Sequence, residues 1–271
     1  MKTRSSLGTL AARGFTLIEV VIVLGIIAIL AAFLAPTAFE GIRSSQETAT
    51  KKQVERIFLA IVGEPSKGNF GYLGDMGRLP ATLDELVTQG GQVAFHTSDG
   101  GTAHKGSVGT GWRGPYVTGT DATADLFKDA WGLAFSYTNA GGTAGQISSG
   151  GLDGQIATAD DITYPVQLPV QTTGTIVVTV VVNDISQPIN VTVSVYSTAN
   201  GEQGAAVVQT TPNPSVDGKP FRFTVPHGTS AIVSVHVSGA TTVTRTTTVD
   251  IAAGTQLSRT VLMKTSATVP M

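Results

Sequence analysis

The 271-residue chain contains no cysteine, which excludes disulfides, cysteine nucleophiles and thiolate metal sites. Charged residues make up only 13% of it, and 17 basic against 19 acidic residues leave a net charge of −2. That balance gives no electrostatic reason to expect a nucleic-acid partner. The four histidines are too scattered to suggest a histidine-built metal site. A hydrophobic content of 41% fits one or two folded domains rather than a charge-rich disordered chain.

A long uncharged run lies near the N-terminus. Residues 1–14 carry three basic residues (Lys2, Arg4 and Arg13) and no acid, and the 20 residues from Val20 to Phe39 carry no charge. About 20 apolar residues cross the hydrocarbon of a bilayer as a helix, and the preceding basic residues predict a cytoplasmic N-terminus. A cleaved secretory signal is the alternative, although its apolar region is usually only about 7–15 residues long.

Glu19 stands at the head of this apolar run. A carboxylate at mid-bilayer costs roughly 2.5–3.5 kcal/mol on insertion scales, so an acid within a membrane span is a functional candidate for which a cationic partner is expected. From its position alone, Glu19 could equally well be a residue without a function that happens to lie at the edge of the span.

The segment Arg13-Gly14-Phe15-Thr16-Leu17-Ile18-Glu19 resembles the signal of type IV pilins and of the pseudopilins of type II secretion. The resemblance implies that prepilin peptidase cuts after Gly14 and that Phe15, the new N-terminal residue, is methylated. It also implies that Glu19 pairs with the Phe15 amine of a neighbouring subunit. Pro36 falls at mature position 22, where the family often has proline.

This resemblance implies a structural subunit and not an enzyme. The subunit would cross the bacterial inner membrane once, with its C-terminal domains in the periplasm, and polymerise with itself or other pilin-like subunits into a periplasmic or surface filament. Its partners would be prepilin peptidase, the inner-membrane assembly platform and membrane lipid, with no nucleic acid. The alternatives are a minor pilin that binds a ligand or surface, and a membrane-tethered enzyme. No P-loop, G-x-S-x-G or H-E-x-x-H motif supports the enzyme.

The pattern of the whole chain predicts an α+β protein in four segments. These are a leader (1–14), a transmembrane and assembly helix (15–62), a pseudopilin-like α+β domain (63–165) and an all-β sandwich (166–271). Val54, Ile57 and Ile61 have helical spacing and predict a buried face on the second half of the helix. Pro36 is expected to kink or open the helix locally.

The predicted domain at 63–165 begins with a glycine- and proline-containing spacer. Thr82 and Glu85 form a T-x-x-E capping box that predicts a short helix, whereas the glycine-rich stretch from Gln89 to Gly111 predicts a loop. The region resembles the major pseudopilin of type II secretion, and four short motifs carry the resemblance: Arg78-Leu79-Pro80, Gly114-Pro115-Tyr116, Asp129-x-Trp131-Gly132 and the Phe135-x-Tyr137 strand.

From about Thr172 the composition shifts, with 20 threonines and three aromatic residues up to the C-terminus. Seven β-branched runs separated by turn signals predict an antiparallel β-sandwich, which resembles transthyretin-like or carboxypeptidase-regulatory-like domains. The runs are Thr175–Asn183, Ile189–Ser197, Ala205–Thr210, Lys219–Val225, Ala231–Val237, Thr241–Ile251 and Gln256–Met263.

One cluster of residues is suited to binding a metal ion. Asp153, Asp160 and Asp161 lie within nine residues among glycines, and Ca²⁺ prefers several oxygen ligands from such flexible loops. The spacing does not match an EF-hand, and an ordinary acidic turn explains it as well. The pseudopilin resemblance favours Ca²⁺ and implies these three carboxylates as ligands, together with Ser149 and the Gly150 carbonyl.

Overall fold

The computed structural model describes residues 15–98, 108–119, 125–139, 144–182, 190–212, 220–238 and 243–263. It shows the predicted α+β fold, with one long N-terminal helix followed by a mostly β region that contains several sheets. The chain divides after Thr48 into two compact units. The first unit contains most of the helix, and the second contains the end of the helix and all the strands.

Helix α1 spans Leu17–Val62 and continues through Pro36. Its large apolar side chains from Leu17 to Ile42 are exposed, because the described part of the first unit provides no core to cover them. In the second unit the helix becomes amphipathic as predicted, and Val54, Ile57 and Ile61 are completely buried.

The part of the second unit that surrounds this buried helix face is called here the proximal region (residues 49–170). It contains 3₁₀ turns at Pro65–Lys67 and Leu83–Leu86 and a short helix, α2, at Gly71–Met76. Its strands form an antiparallel pair and a three-stranded antiparallel sheet in the order β3-β4-β5. These strands are β1 (His96–Ser98), β2 (Val108–Thr110), β3 (Ser136–Thr138), β4 (Gln146–Ser149) and β5 (Ile162–Tyr164).

Three local predictions for this region need correction. The expected loop from Gln89 to Gly111 contains the β1–β2 pair. The helix after Thr82 is a single 3₁₀ turn without a side-chain cap from Thr82. The Glu85 carboxylate bonds to the Ala81 N–H and to side chains of the core, and not to the Thr82 N–H as a capping box requires. Helix α2 was missed, since its glycines disfavour a helix unless packing supplies the stability.

The glycines of α2 are explained by close backbone packing. Gly71 has a φ of +61°, and a Cβ built on it would lie 2.5 Å from the Gly63 backbone nitrogen. Only glycine permits both this backbone conformation and this approach. Every residue of α2 is buried, and Tyr72, Leu73 and Met76 join Ile57 in the apolar core of the proximal region.

The second part of this unit is a β-sandwich (Thr173–Met263), and each of the seven predicted runs contains a strand in its described part. One sheet has the order β10-β7-β12-β13, and the other has the order β11-β6-β14. The predicted antiparallel arrangement is wrong for β14, which pairs in parallel with β6. The strands are β6 (Thr173–Val182), β7 (Asn190–Tyr196), β8 (Thr198–Ala199), β9 (Glu202–Gln203), β10 (Val207–Pro212), β11 (Phe221–Pro226), β12 (Gly228–Ser238), β13 (Val243–Ile251) and β14 (Gln256–Met263).

Alternation along the strands builds the core of the sandwich. Val191, Val193 and Val195 of one sheet share an apolar cluster with Phe221 and Phe223 of the other. This cluster is separate from the core of the proximal region, which includes Val170. The predicted boundary at 165/166 stays a prediction, since both cores lie within one compact unit.

The two regions of this unit meet through backbone contacts. The Gly201 N–H donates to the Met76 carbonyl at 2.9 Å, in the tight turn that joins β8 and β9. Asn200 and Gly201 both have positive φ there, as an Asn-Gly hairpin turn requires. A Cβ on Gly77 would lie 2.4 Å from the Thr198 carbonyl oxygen, so the interface leaves no room for a side chain at this position.

Candidate functional site: the N-terminal helix and the acidic loop

The predicted processing site lies at the edge of the described chain. Gly14 falls outside the described residues, whereas Phe15 is 80% exposed immediately before α1. Helix α1 begins after Thr16, whose hydroxyl accepts a hydrogen bond from the Glu19 N–H at 3.3 Å. Thr16 and Glu19 thus occupy the first and last positions of a T-x-x-E capping sequence. The sequence reasoning missed this role of Thr16, although the spacing alone signals it.

The exposed surface of α1 suits a nonaqueous environment. Among the described residues α1 alone is long and apolar enough to cross a membrane, and none of its most apolar stretch is buried within the protein. The apolar helix therefore fits membrane anchoring. Glu19 is exposed in the first turn of this helix.

The acidic loop connects β4 to β5. Its three predicted carboxylates converge on one hydroxyl, Thr158 Oγ1, which lies 3.4 Å from Asp153 Oδ1, 3.0 Å from Asp160 Oδ1 and 3.1 Å from Asp161 Oδ1. The Gln155 carbonyl oxygen lies 3.2 Å from the same atom. A hydroxyl donates one hydrogen bond at a time, so four oxygen acceptors surround a single donated proton.

Backbone N–H groups hold the second carboxylate oxygens of Asp160 and Asp161. Leu152 N–H donates to Asp160 Oδ2 at 2.8 Å, and Ala157 N–H donates to Asp161 Oδ2 at 2.7 Å. Hydrogen bonds from Thr158 and then from the loop backbone hold the pKa of Asp160 below its usual value. The loop therefore favours the charged form of the Asp160 carboxylate.

Ser149 and Gly150, the other two predicted ligands, have partners of their own. The buried Ser149 hydroxyl donates to Asp129 Oδ2 at 2.6 Å and accepts from the Gly151 N–H at 3.2 Å. The Gly150 carbonyl accepts from the Gly154 N–H at 3.0 Å. These contacts fix the start of the loop.

Asp129 anchors this arrangement from another segment, and the sequence reasoning gave it no role. It is 6% exposed, and its Oδ1 accepts hydrogen bonds from the Trp131 N–H at 3.0 Å and the Leu133 N–H at 2.9 Å. Aspartate favours turns in which its carboxylate accepts a hydrogen bond from the backbone two residues on, and glycine favours turns, so Asp129 and Gly132 were the available signal.

The oxygen atoms of the loop suit Ca²⁺, but their arrangement in space is not that of a formed metal site. All of the atoms that converge on Thr158 Oγ1 are oxygen, which is the ligand type that Ca²⁺ takes, and the loop is exposed. In the described segments, no three acid or histidine side chains already stand in a metal-binding arrangement. The carboxylate oxygens lie at hydrogen-bond distances from the Thr158 hydroxyl.

A cavity of about 520 Å³ is lined mainly by the proximal region, and Asp84 and Glu85 are the acids in its lining. Burial raises the pKa of Glu85, but bonds from Tyr72, Arg78 Nη1 at 2.9 Å and the Ala81 N–H outweigh this and hold it below the usual value. Each of these donors is a group of the proximal region, so the Glu85 carboxylate links separate parts of the core by hydrogen bonds.

Asp75 is the second buried acid in this region. Burial raises its pKa, although Arg113 Nη2 lies 2.8 Å from Oδ1 and the Tyr116 hydroxyl donates to Oδ2 at 3.0 Å. Both oxygens are thereby paired within the domain. Like Glu85, this acid ties together separate segments of the proximal region.

Comparison with protein families identifies the N-terminal segment. A family described as the prokaryotic N-terminal methylation motif matches residues 10–35, which include Gly14, Phe15, Glu19 and the apolar half of α1. The motif indicates a type IV pilin-like precursor that prepilin peptidase processes. Proteins of this class assemble into polymers and are not enzymes. Comparison with curated proteins finds no match.

Proposed function

We propose that the chain is a structural subunit of a type IV pilus-like filament or of a type II secretion pseudopilus. The observation that carries the proposal is the methylation motif at residues 10–35, which coincides with the exposed apolar half of α1. Cleavage after Gly14 would leave Phe15 as a methylated N-terminus. The subunit would wait in the inner membrane with its C-terminal domains in the periplasm and then enter the filament.

Glu19 is proposed as the assembly residue. It lies in the first turn of α1 and is exposed, so its carboxylate can face a neighbouring subunit. The amine of a neighbour's Phe15 would supply the cation that an acid in an apolar environment requires. The pairing would contribute to assembly and not to membrane insertion.

The test compares Glu19→Gln with Glu40→Gln, a matched change at the first acid after the apolar run. Both variants should insert into the membrane as the wild type does. Glu19→Gln should give few or no filaments by electron microscopy, whereas Glu40→Gln should give normal numbers. Wild-type filament yield from Glu19→Gln would contradict the pairing role.

The acidic loop is proposed as a Ca²⁺ site. Asp153, Asp160 and Asp161 would supply carboxylate oxygens, and the oxygens around Thr158 Oγ1 mark where they already converge. Ser149 and the Gly150 carbonyl are the further proposed ligands, although each has a hydrogen-bond partner in the loop. Bound Ca²⁺ would neutralise acids that otherwise repel one another.

Thermal unfolding of the full chain in detergent micelles tests this site. A ligand at 100 times its dissociation constant adds about 2.7 kcal/mol to the free energy of unfolding, so chelation should lower the melting temperature. Ca²⁺ should restore it, and Mg²⁺ should do so poorly, because Mg²⁺ demands near-octahedral geometry. Asp153→Ala should abolish the response and Asp125→Ala should keep it. An unchanged melting curve after chelation of metal-loaded protein would refute the proposal.

The alternative role is a minor pilin whose sandwich binds a ligand or surface. The separate apolar core of the sandwich favours this hypothesis, because the sandwich can change in sequence without disturbing the assembly helix α1. Counting copies in purified filaments distinguishes the two roles. A major subunit should be the most abundant protein of the filament, whereas a minor pilin should be rare.

A further inference from the structure

We propose that His227 is a neutral latch that holds the β-sandwich against the proximal region and that acid opens it. His227 links β11 to β12 and is 2% exposed. Its Nε2 lies 3.2 Å from the Phe70 carbonyl oxygen, at the start of α2, and its Nδ1 accepts a hydrogen bond from the Ala253 N–H at 2.8 Å. The inference concerns residues 49–271 and does not rest on the proposed filament role.

These two hydrogen bonds define one protonation state. Because Nδ1 accepts from an N–H, it carries no proton, and Nε2 must carry the proton that it donates to Phe70. The ring also packs against the Phe70 ring, with centroids 5.1 Å apart. One neutral imidazole thus joins α2 of the proximal region to two turns of the sandwich.

Protonation would disrupt this arrangement. A proton on Nδ1 would place two donors face to face, so the Ala253 N–H would lose its acceptor. It would also put a positive charge in a buried position, which is costly without a paired anion. The Phe70 contact would remain, but the bond that anchors the ring to the sandwich would be lost.

The described residues that line the cavity beside the ring include no acid that could stabilise the cation. A cavity of about 460 Å³ beside His227 is lined by residues from α1, its following turn, the 165–171 segment and the Ala253 turn. None of these residues carries a charge, and Glu64, which lies between Gly63 and Pro65 in the sequence, pairs with the Lys67 ammonium at 2.8 Å.

Burial in these surroundings lowers the pKa of His227 below its ordinary value of 6.5, although the Phe70 and Val62 carbonyls oppose the shift. A histidine whose pKa is lowered in the folded state adds to the free energy of unfolding, and the full contribution is present above the ordinary pKa of the unfolded chain. That contribution is lost as the pH falls through the lower pKa of the folded state. The latch should therefore be closed at neutral pH and open in acid.

A second histidine joins the same two regions and responds in the opposite sense. His96 Nε2 of β1 lies 3.1 Å from Glu202 Oε2 of β9, so protonation would strengthen this contact. Both side chains are exposed, and an exposed pair of this kind contributes little. His96 therefore serves as the control for general effects of acid on the interface.

Hydrogen–deuterium exchange of the full chain in detergent micelles tests the latch at about pH 8 and about pH 5, the range in which histidine titrates. After correction for the chemical exchange rate, peptides covering α2 and Ala253 should exchange several-fold faster in acid. Peptides from β6 and β7 should stay protected. His96→Gln should show the same acid effect.

His227→Asn gives the decisive comparison, because its side-chain oxygen can accept from the Ala253 N–H but cannot titrate. The acid-induced exchange at α2 and Ala253 should be lost in this variant. If it fails to fold, NMR titration of the His227 ring in the wild type replaces it: the exchange at α2 and Ala253 should rise over the same pH range in which the ring takes up its proton, and a rise in a different range would overturn the proposal. A wild-type interface that exchanges equally at both pH values would overturn the proposal, as would an unchanged acid effect in His227→Asn.

Discussion

Replacing Asp129 with alanine should destabilise the proximal region although the residue contacts no other charged side chain in the described hydrogen-bond network. The carboxylate accepts three hydrogen bonds, from the buried Ser149 hydroxyl and from the N–H groups of Trp131 and Leu133. Losing the acceptor leaves a fully buried donor at Ser149 and two partly buried ones. A buried donor without a partner costs roughly 1–3 kcal/mol.

The expected loss is about 2–4 kcal/mol in the free energy of unfolding, since the two backbone donors can partly reach water. For a domain of this size each kcal/mol lowers the melting temperature by about 2–4 °C, so Asp129→Ala should melt roughly 4–16 °C lower. Asp129→Asn should lose less, because its carbonyl oxygen still accepts from Trp131 and Leu133.

The assay is thermal unfolding of the full chain in detergent micelles, with Asp125→Ala as the matched control. Asp125 pairs with Lys128 at 2.8 Å, and both side chains are exposed, so its loss should cost less than about 1 kcal/mol. A melting temperature of Asp129→Ala equal to that of Asp125→Ala would refute the anchoring role of Asp129.

Two further changes test the packing of the second unit by thermal unfolding. Ile57→Ala removes a completely buried side chain and should lower the free energy of unfolding by about 2–5 kcal/mol. A change at the exposed Glu55 should be nearly neutral. Equal melting temperatures for the two variants would contradict the packing of α1. Gly77→Ala should loosen the contact with Thr198, because the added Cβ meets that carbonyl oxygen at 2.4 Å and φ is +68°. Unchanged protection of the β8–β9 turn in hydrogen exchange would count against this contact.

The strongly periodic parts of the fold were predictable from the sequence. The apolar run and the helical spacing of Ile57 and Ile61 predicted α1, and alternating β-branched residues predicted seven strands. Helix α2 and the parallel pairing of β14 were not predictable. The stability of α2 comes from tertiary packing around Gly71, and strand direction depends on long-range contacts that periodicity does not encode.

The site residues divide in a similar way. The three acids of the loop were recognisable because they fall within nine residues of a segment that begins with Gly150 and Gly151. Thr158, on which they converge, and Asp129, which anchors Ser149, depend on how the chain folds back on itself. His227 could not be assigned a role from its sequence position, because its partners at Phe70 and Ala253 are distant in the chain.

The most direct test of the central claim is the intact mass of the chain recovered from assembled filaments. The account predicts a chain that begins at Phe15 and carries one added methyl group, and a Gly14→Val variant that keeps its leader and stays out of filaments. Filaments built from chains that retain Met1 would contradict it.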